Sequence, residues 1–205
     1  KTSIAAQFAE AACKRGERVL FFTFEESPSQ LARNMCSIGI NLEPWVKKGL
    51  LQFHATRPTL YGLENHLTTS IKLINKFEPN VVILDPINAF VRGQNQSEVN
   101  TTLVRLVDFL KMKRITAFFT SLTSVSDDMD ITDIYVSSLI DTWLLLRDIE
   151  IGGERNRGLY VLKSRGMAHS NQIREFRLTN HGIELLDGYV GAAGVLTGSA
   201  RLSQE

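Results

Sequence analysis

The sequence has few cysteines, almost no excess charge of either sign and no long apolar run, and each absence excludes a class of protein. The two cysteines, Cys13 and Cys36, lack the spacing of a metal site and predict buried thiols in a reducing compartment. A formal net charge of +1 gives no overall field that would attract nucleic acid or an acidic membrane. No segment approaches the apolar length that crosses a bilayer. We therefore expect a cytoplasmic domain without membrane contact and without a nucleic-acid partner.

The apolar residues follow a pattern that alternates between helices and strands. They make up 43% of the chain, which is enough to bury a core. The predicted helices cover residues 2–15, 28–38, 63–77 and 99–112, and the predicted strands cover 19–24, 50–54, 81–84, 115–121 and 143–146. Three shorter strands follow at 159–163, 173–178 and 183–186. This order predicts an α/β fold with a mostly parallel central sheet, flanking helices and a C-terminal antiparallel extension. We expect one domain over residues 1–187 and a flexible arm over 188–205, which is rich in glycine, alanine and serine.

The first two residues suggest a phosphate-binding loop. Lys1 and Thr2 begin a predicted helix that leads into an apolar strand, and in the motif G-x-x-x-x-G-K-S/T the lysine and hydroxyl stand at that place. The glycines that would precede Lys1 are not in this sequence, so the motif is inferred, and a Lys-Thr pair alone has little meaning. Because those glycines supply most of the N–H contacts to phosphate, we expect the chain as given to bind ATP poorly.

Acidic residues follow two of the apolar strands. The run VVILD ends in Asp85, as in P-loop NTPases, where such a carboxylate holds magnesium; alone, it could equally be a core strand with a terminal aspartate. Glu25 and Glu26 follow another buried strand, and in open α/β sheets that end faces the ligand. A glutamate there could activate a water or hydroxyl for attack on a γ-phosphate. The alternative is that both glutamates cap the next helix and are solvated.

Four stretches together resemble a known family, the KaiC circadian-clock ATPases of the RecA superfamily, and in particular their second, autokinase half. The stretches are KTSIAAQFAEAACKRGERVLFFTFEES, VVILDPINAFVRG, ITDIYVSSLIDTWLLLR and VLKSRGMAHSNQIREF. The resemblance implies a RecA-like P-loop NTPase core that binds ATP and Mg²⁺. Its nucleotide-binding residues would be Lys1, Thr2, Ser3 and Asp85, its catalytic pair Glu25 and Glu26, and its magnesium ligands Thr2, Glu25 and Asp85.

The resemblance also implies a homo-oligomeric ring, expected to be a hexamer, with ATP between subunits. Residues reaching the neighbouring subunit's nucleotide would be Arg157, Lys163, Ser164, Arg165 and His169. Lys163 and Arg165 are predicted to alternate on one strand, so both charges would point to the same face. The alternative is a solvated basic surface.

The doublet Ser137-Ser138 matches the family's Ser-Thr autophosphorylation pair, with serine in place of the threonine. Both residues carry a transferable hydroxyl, which implies serine autophosphorylation in a clock-like or signalling role, with a KaiB-like protein as a possible partner. Without the resemblance, serines that cap or line a short helix are an equal alternative.

Two other functions remain open from the sequence. A RecA-like, DNA-dependent ATPase would use the same core, but the acidic and polar loop at 123–130 and the small net charge disfavour it. A non-catalytic ring scaffold that docks partner proteins is disfavoured by the presence of Glu25, Glu26 and Asp85.

Overall fold

A computed structural model describes residues 1–57, 62–90, 95–122, 139–151, 154–186, 190–191 and 194–195. The chain divides into two compact units, residues 1–139 and 140–205. The domain boundary at residue 187 stays a prediction.

The first unit is a parallel sheet of four strands with helices between them. The strands are β1 (Val19–Thr23), β2 (Leu51–Ala55), β3 (Val81–Asp85) and β4 (Thr116–Phe119), in the spatial order β2-β1-β3-β4. All three strand pairs are parallel. The helices are α1 (Thr2–Lys14), α2 (Pro28–Cys36), α3 (Glu43–Lys47), α4 (Leu63–Phe77) and α5 (Gln96–Met112), and a short 3₁₀ helix covers Ile87–Phe90. The predicted α/β class is confirmed.

The two central strands are buried along their whole length, as their continuous apolar runs predict. Successive side chains of a strand point to opposite faces, so β1 contributes to two cores. Val19 and Phe21 pack in one cluster with the alanine-rich face of α1 and with Leu31 of α2. Leu20 and Phe22 pack in the other cluster, with the apolar faces of α4 and α5. Both faces of the sheet are therefore covered by helices. This packing fixes the positions of the strand ends, where the polar side chains lie.

The strands predicted at 143–146 and 159–163 are both longer than expected, and the first of them, expected to continue the parallel order, belongs to the antiparallel sheet of the second unit. The strands predicted at 173–178 and 183–186 are each shifted by one residue. This sheet has four strands among the residues that the structure describes. They are β5 (Thr142–Ile151), β6 (Glu154–Ser164), β7 (Arg174–Thr179) and β8 (Gly182–Leu185), in the order β5-β6-β7-β8. Two further strands, β9 (Val190–Gly191) and β10 (Gly194–Val195), form a separate antiparallel pair.

Several expectations about individual elements were wrong. The helix α3 and the 3₁₀ helix are too short for apolar periodicity to reveal, and the strand expected over 115–121 covers only Thr116–Phe119. Cys13 is buried as expected, but Cys36 is exposed, because it is the last residue of α2 and lies off the apolar face of that helix. None of the described helices has both the length and the apolar character that a membrane span requires.

Candidate functional site

The start of α1 and the C-terminal ends of β1, β3 and β4 surround one cleft in the first unit. The lining residues are Lys1, Thr2, Thr23, Glu25, Glu26, Asp85, Pro86, Thr120 and Leu122. Parallel strands bring their C-terminal ends to the same sheet edge, which explains why side chains far apart in sequence meet here. Five of the residues singled out in the sequence thus share one cleft.

Lys1 and Thr2 reach the cleft because α1 begins there. Lys1 is the N-cap residue of α1, and its carbonyl accepts from the amides of Ile4 and Ala5 at 3.0 and 3.1 Å. Its ammonium donates to the carbonyl of Ser121 at 2.6 Å. The N-terminus of a helix favours an anion, through its amide groups and its dipole. Ser3 is in the first turn of α1 and half-buried, but is not among the residues that line the cleft.

Asp85 ends β3 with its side chain buried at 6% exposure. The hydroxyl of Thr120, which directly follows β4, donates to the Asp85 carboxylate. The Asp85 carbonyl accepts from the amide of Phe24 at 3.0 Å, which ties the ends of β1 and β3 together. The carboxylate is therefore held in one place at the base of the cleft, while still lining it.

Glu25 and Glu26 follow β1 and differ in their environment. Glu25 is exposed and Glu26 is half-buried. The Glu26 carbonyl accepts from the hydroxyl of Thr23 at 2.8 Å, and its carboxylate accepts from the side-chain amide of Asn34 at 3.3 Å. The cap of α2 is instead Ser27, whose hydroxyl accepts from the amide of Gln30. The alternative in which the glutamates cap this helix is therefore wrong.

The chemistry of the cleft suits a small hard cation together with an anion. Thr2, Glu25 and Asp85 offer hydroxyl and carboxylate oxygens, which are the ligands that Mg²⁺ prefers, and Mg²⁺ commonly completes its shell with phosphate oxygens and water. Among the residues that the structure describes, no cluster of three or more His, Cys, Asp or Glu side chains is placed to hold a metal ion by itself.

The residues expected to reach a neighbouring subunit belong to the second unit. Lys163 and Ser164 end β6, opposite Trp143 and Thr142 of β5, and the hydroxyls of Ser164 and Thr142 are 3.2 Å apart. Arg157 is exposed on β6, opposite Asp148.

Arg165 and His169 lie beyond the end of β6. Arg165 is in the turn after the strand, so the predicted alternation of Lys163 and Arg165 along one strand was wrong. The Arg165 amide still donates to the Asp141 carbonyl at 2.8 Å, and the next residue, Gly166, has a φ of 69°, which lies in the left-handed region typical of turns. The Arg165 guanidinium lies 4.0 Å from the Asp141 carboxylate. Exposed His169 has its Nδ1 3.4 Å from the Met167 carbonyl.

The sequence and the structure differ in which functional residues they identify. Ser137 and Ser138 lie outside the described residues. Conversely, three residues next to the cleft were missed from the sequence, namely Asn88, Thr120 and Ser121. For Thr120 and Ser121 the available signal was that polar residues directly follow the fourth parallel strand, by the same edge rule that was applied to Glu25 and Glu26.

The comparison with a family model and the comparison with individual proteins indicate the same family. A family model described as "ATPase: KaiC" matches residues 1–189. The circadian clock protein KaiC2 of Synechocystis sp. is 49% identical over 206 residues, which cover 100% of this chain and 36% of that protein. The circadian clock oscillator proteins KaiC of Acaryochloris marina and Thermostichus vulcanus are each 36% identical over 200 residues, or 97% of this chain and 38% and 39% of those proteins. The chain spans little more than a third of the length of these relatives, and it belongs to the KaiC ATPase family.

Proposed function

We propose that the cleft binds ATP with Mg²⁺ and that the domain hydrolyses it. This proposal rests on one observation, which is that the same cleft is lined by Lys1, Thr2, Glu25 and Asp85. The Lys1 ammonium and the first turn of α1 would hold the terminal phosphates. Thr2 and Asp85, with Glu25, would hold the magnesium ion, which neutralises charge on the phosphates when bound.

The glutamates have the chemistry of a general base. A carboxylate within hydrogen-bond reach of a water or hydroxyl can take its proton as the oxygen attacks the γ-phosphate. Both glutamates line the cleft, and the Glu26 carboxylate also accepts from the side-chain amide of Asn34. We assign proton transfer to the pair.

We further propose that the protein works as a homo-oligomeric ring, a hexamer by the family resemblance, in the cytoplasm. In this proposal Arg157, Lys163, Arg165 and His169 of one subunit meet the nucleotide of the next. Arg157 and Arg165 are exposed cations, which can stabilise charge on a transferring phosphoryl group only once the ring has assembled. A KaiB-like protein is the proposed partner, and a clock-like or signalling output is the proposed role.

Serine autophosphorylation is the most specific part of the proposal. A γ-phosphate at a subunit interface can be passed to a hydroxyl of the adjacent chain, and Ser137 and Ser138 are the proposed acceptors. The exchange of the family's threonine for serine keeps the transferable group. Each phosphate would add about −1.5 to −2 charge, which would alter an interface that contains acidic residues.

Mass spectrometry of the full-length protein after incubation with Mg²⁺ and ATP tests this proposal. We expect phosphate at Ser137, Ser138 or both. Rings mixed from wild-type and Lys163→Ala/Arg165→Ala subunits should be less phosphorylated, whereas Lys76→Ala, which removes an exposed cation in the first unit, should have no effect. Active ATP turnover with both serines unmodified would leave an ATPase without autokinase function.

The scaffold and recombinase alternatives receive less support. The KaiC family assignment disfavours a DNA-dependent recombinase. A scaffold without catalysis would place no demand on the carboxylates that line the cleft. A salt-dependent shift of labelled DNA by the protein would reopen the recombinase function.

A further inference from the structure

The residues Thr120, Ser121 and Leu122, here called the β4 exit segment, connect both halves of the cleft. The Thr120 hydroxyl donates to the Asp85 carboxylate, and the Ser121 carbonyl accepts from Lys1. Thr120 and Leu122 also line the cleft. The segment therefore touches the proposed magnesium carboxylate and the proposed phosphate lysine at once.

One side chain outside the lining holds this segment. The Asn88 amide oxygen accepts from the Leu122 amide at 2.5 Å and from the Ser121 hydroxyl at 3.0 Å. The Asn88 amide nitrogen donates to the Leu122 carbonyl at 3.1 Å. Asn88 thus engages both backbone groups of Leu122 and one side chain, which uses most of its hydrogen-bonding capacity.

Asn88 is itself well placed to act as an anchor. It belongs to the 3₁₀ helix Ile87–Phe90, which starts two residues after Asp85. The neighbouring Ile87 amide donates to the Thr120 carbonyl at 2.9 Å, and the Thr120 amide donates to the Leu84 carbonyl at 3.0 Å. These backbone bonds end at Thr120. Beyond it, Asn88 bonds to Ser121 and Leu122, and the other bond to Ser121 described above is the one from Lys1.

The need for such an anchor follows from the chemistry of the cleft. Once ATP and Mg²⁺ are bound, the phosphates compete with the Ser121 carbonyl for Lys1, and the metal competes with the Thr120 hydroxyl for Asp85. The β4 exit segment then loses contacts that hold it when the cleft contains no nucleotide. The three hydrogen bonds from Asn88 involve neither Lys1 nor Asp85, so nucleotide binding does not compete for them.

We propose that Asn88 is a positioning residue that keeps the β4 exit segment in the cleft wall while the Lys1 ammonium and the Asp85 carboxylate engage the nucleotide and its magnesium ion. This inference rests on the proposed ATP hydrolysis. Displacement of reacting groups by about 1 Å can cost on the order of a hundredfold in rate, so loss of the anchor acts on turnover more than on ATP binding. For Asn88→Ala in the full-length protein we expect a fall in kcat of about tenfold or more, with KM for ATP changed less than about threefold.

Graded variants separate positioning from general damage. Ser121→Ala removes one of the three bonds and keeps both bonds to Leu122, so its fall in kcat should be clearly smaller. Asn88→Asp keeps the acceptor oxygens and loses the donor to Leu122, and it should recover part of the activity lost in Asn88→Ala. Asn65→Ala, at an exposed position of α4, is the matched control and should behave as wild type.

A second measurement reports on the anchor without catalysis. Amide hydrogen exchange at Leu122 should be at least about tenfold faster in Asn88→Ala than in wild type or Asn65→Ala. In wild type it should change little when MgATP is added, whereas in Asn88→Ala MgATP should accelerate it further.

The outcomes distinguish this inference from the proposed function. If Lys1→Ala and Asp85→Asn abolish hydrolysis but Asn88→Ala matches Asn65→Ala in kcat and Leu122 exchange, the anchor is refuted and the ATP site stands. A fall in kcat/KM that comes from KM alone would also refute the positioning role. If Lys1→Ala and Asp85→Asn hydrolyse ATP as wild type does, the proposed site itself is wrong and the inference falls with it. Should Asn88→Ala fail to fold, Asn88→Asp and Ser121→Ala decide the question: a kcat below that of wild type in both, with KM changed less than about threefold, supports the anchor, and a wild-type kcat in both refutes it.

Discussion

Replacing Thr120 by valine removes the hydroxyl that donates to the buried Asp85 carboxylate while keeping nearly the same side-chain volume. Thr120 and Asp85 are 5% and 6% exposed, so water cannot readily replace the lost donor. Leaving a buried acceptor without its partner costs about 1–3 kcal/mol, and a charged acceptor lies at the upper end. With a urea m-value of about 1–3 kcal/mol/M, a loss of 2–3 kcal/mol lowers the unfolding midpoint by roughly 1 M.

Fluorescence of a single tryptophan is the appropriate assay, because the two units can unfold separately. The chain has two tryptophans, Trp45 in the first unit and Trp143 in the second. In a Trp143→Phe background, Trp45 reports urea unfolding of the first unit alone. Thr120→Ser, which keeps the hydroxyl, is the matched control and should lose much less stability.

A double-mutant cycle isolates the bond. Asp85→Asn keeps an acceptor oxygen but removes the charge, so Thr120→Val should cost clearly less in that background. We expect a coupling energy of about 1–2 kcal/mol between the two positions. An unchanged midpoint in Thr120→Val, or additive effects in the double variant, would refute the assigned interaction.

Four further outcomes follow from the structure. Burial raises the pKa of the Cys13 thiol to about 11, so a thiol reagent at pH 8 should modify exposed Cys36 rapidly and Cys13 only on unfolding. Because this folded-state pKa exceeds that of an ordinary thiol, the contribution of Cys13 to stability is complete below about pH 9 and is lost as the pH rises toward 11; urea midpoints of wild type and Cys13→Ala should converge over that range. In the full-length protein, Glu25→Gln with Glu26→Gln should abolish ATP hydrolysis and leave nucleotide affinity within about threefold, and unchanged turnover would remove the assignment of the base. Phe21→Ala, at a fully buried position of β1, should destabilise the first unit by about 3–5 kcal/mol in the same urea assay, and a loss below about 1 kcal/mol would contradict its place in the core.

Much of the first unit was predictable because its elements carry strong local patterns. The apolar runs of β1 and β3 identified buried parallel strands, and the spacing of Leu63 to Phe77 gave α4 with its observed bounds. The edge rule for parallel sheets predicted that the strand end next to Glu25 faces a ligand, and Glu25 lines the same cleft as Asp85.

The rest depends on contacts that a sequence pattern does not encode. The single-turn α3 and the 3₁₀ helix after Asp85 are held by tertiary packing and are too short to show periodicity. For the same reason Asn88 could not be selected, since its importance comes from bonds to residues 33 and 34 positions away. Arg165 was misplaced because the turn that contains it, with Gly166 at a φ of 69°, begins directly after Ser164.

The central claim is that the cleft at the start of α1 binds MgATP through Lys1. Isothermal titration of MgATP into the full-length protein measures this most directly, with Lys14→Ala as a control that removes an exposed lysine from the last turn of the same helix. The number of ATP molecules bound per chain is compared between wild type and Lys1→Ala, because any other nucleotide site contributes equally to both and cancels in the difference. The account predicts that Lys1→Ala loses binding equivalents that Lys14→Ala retains. Equal stoichiometry and affinity in all three proteins would contradict it.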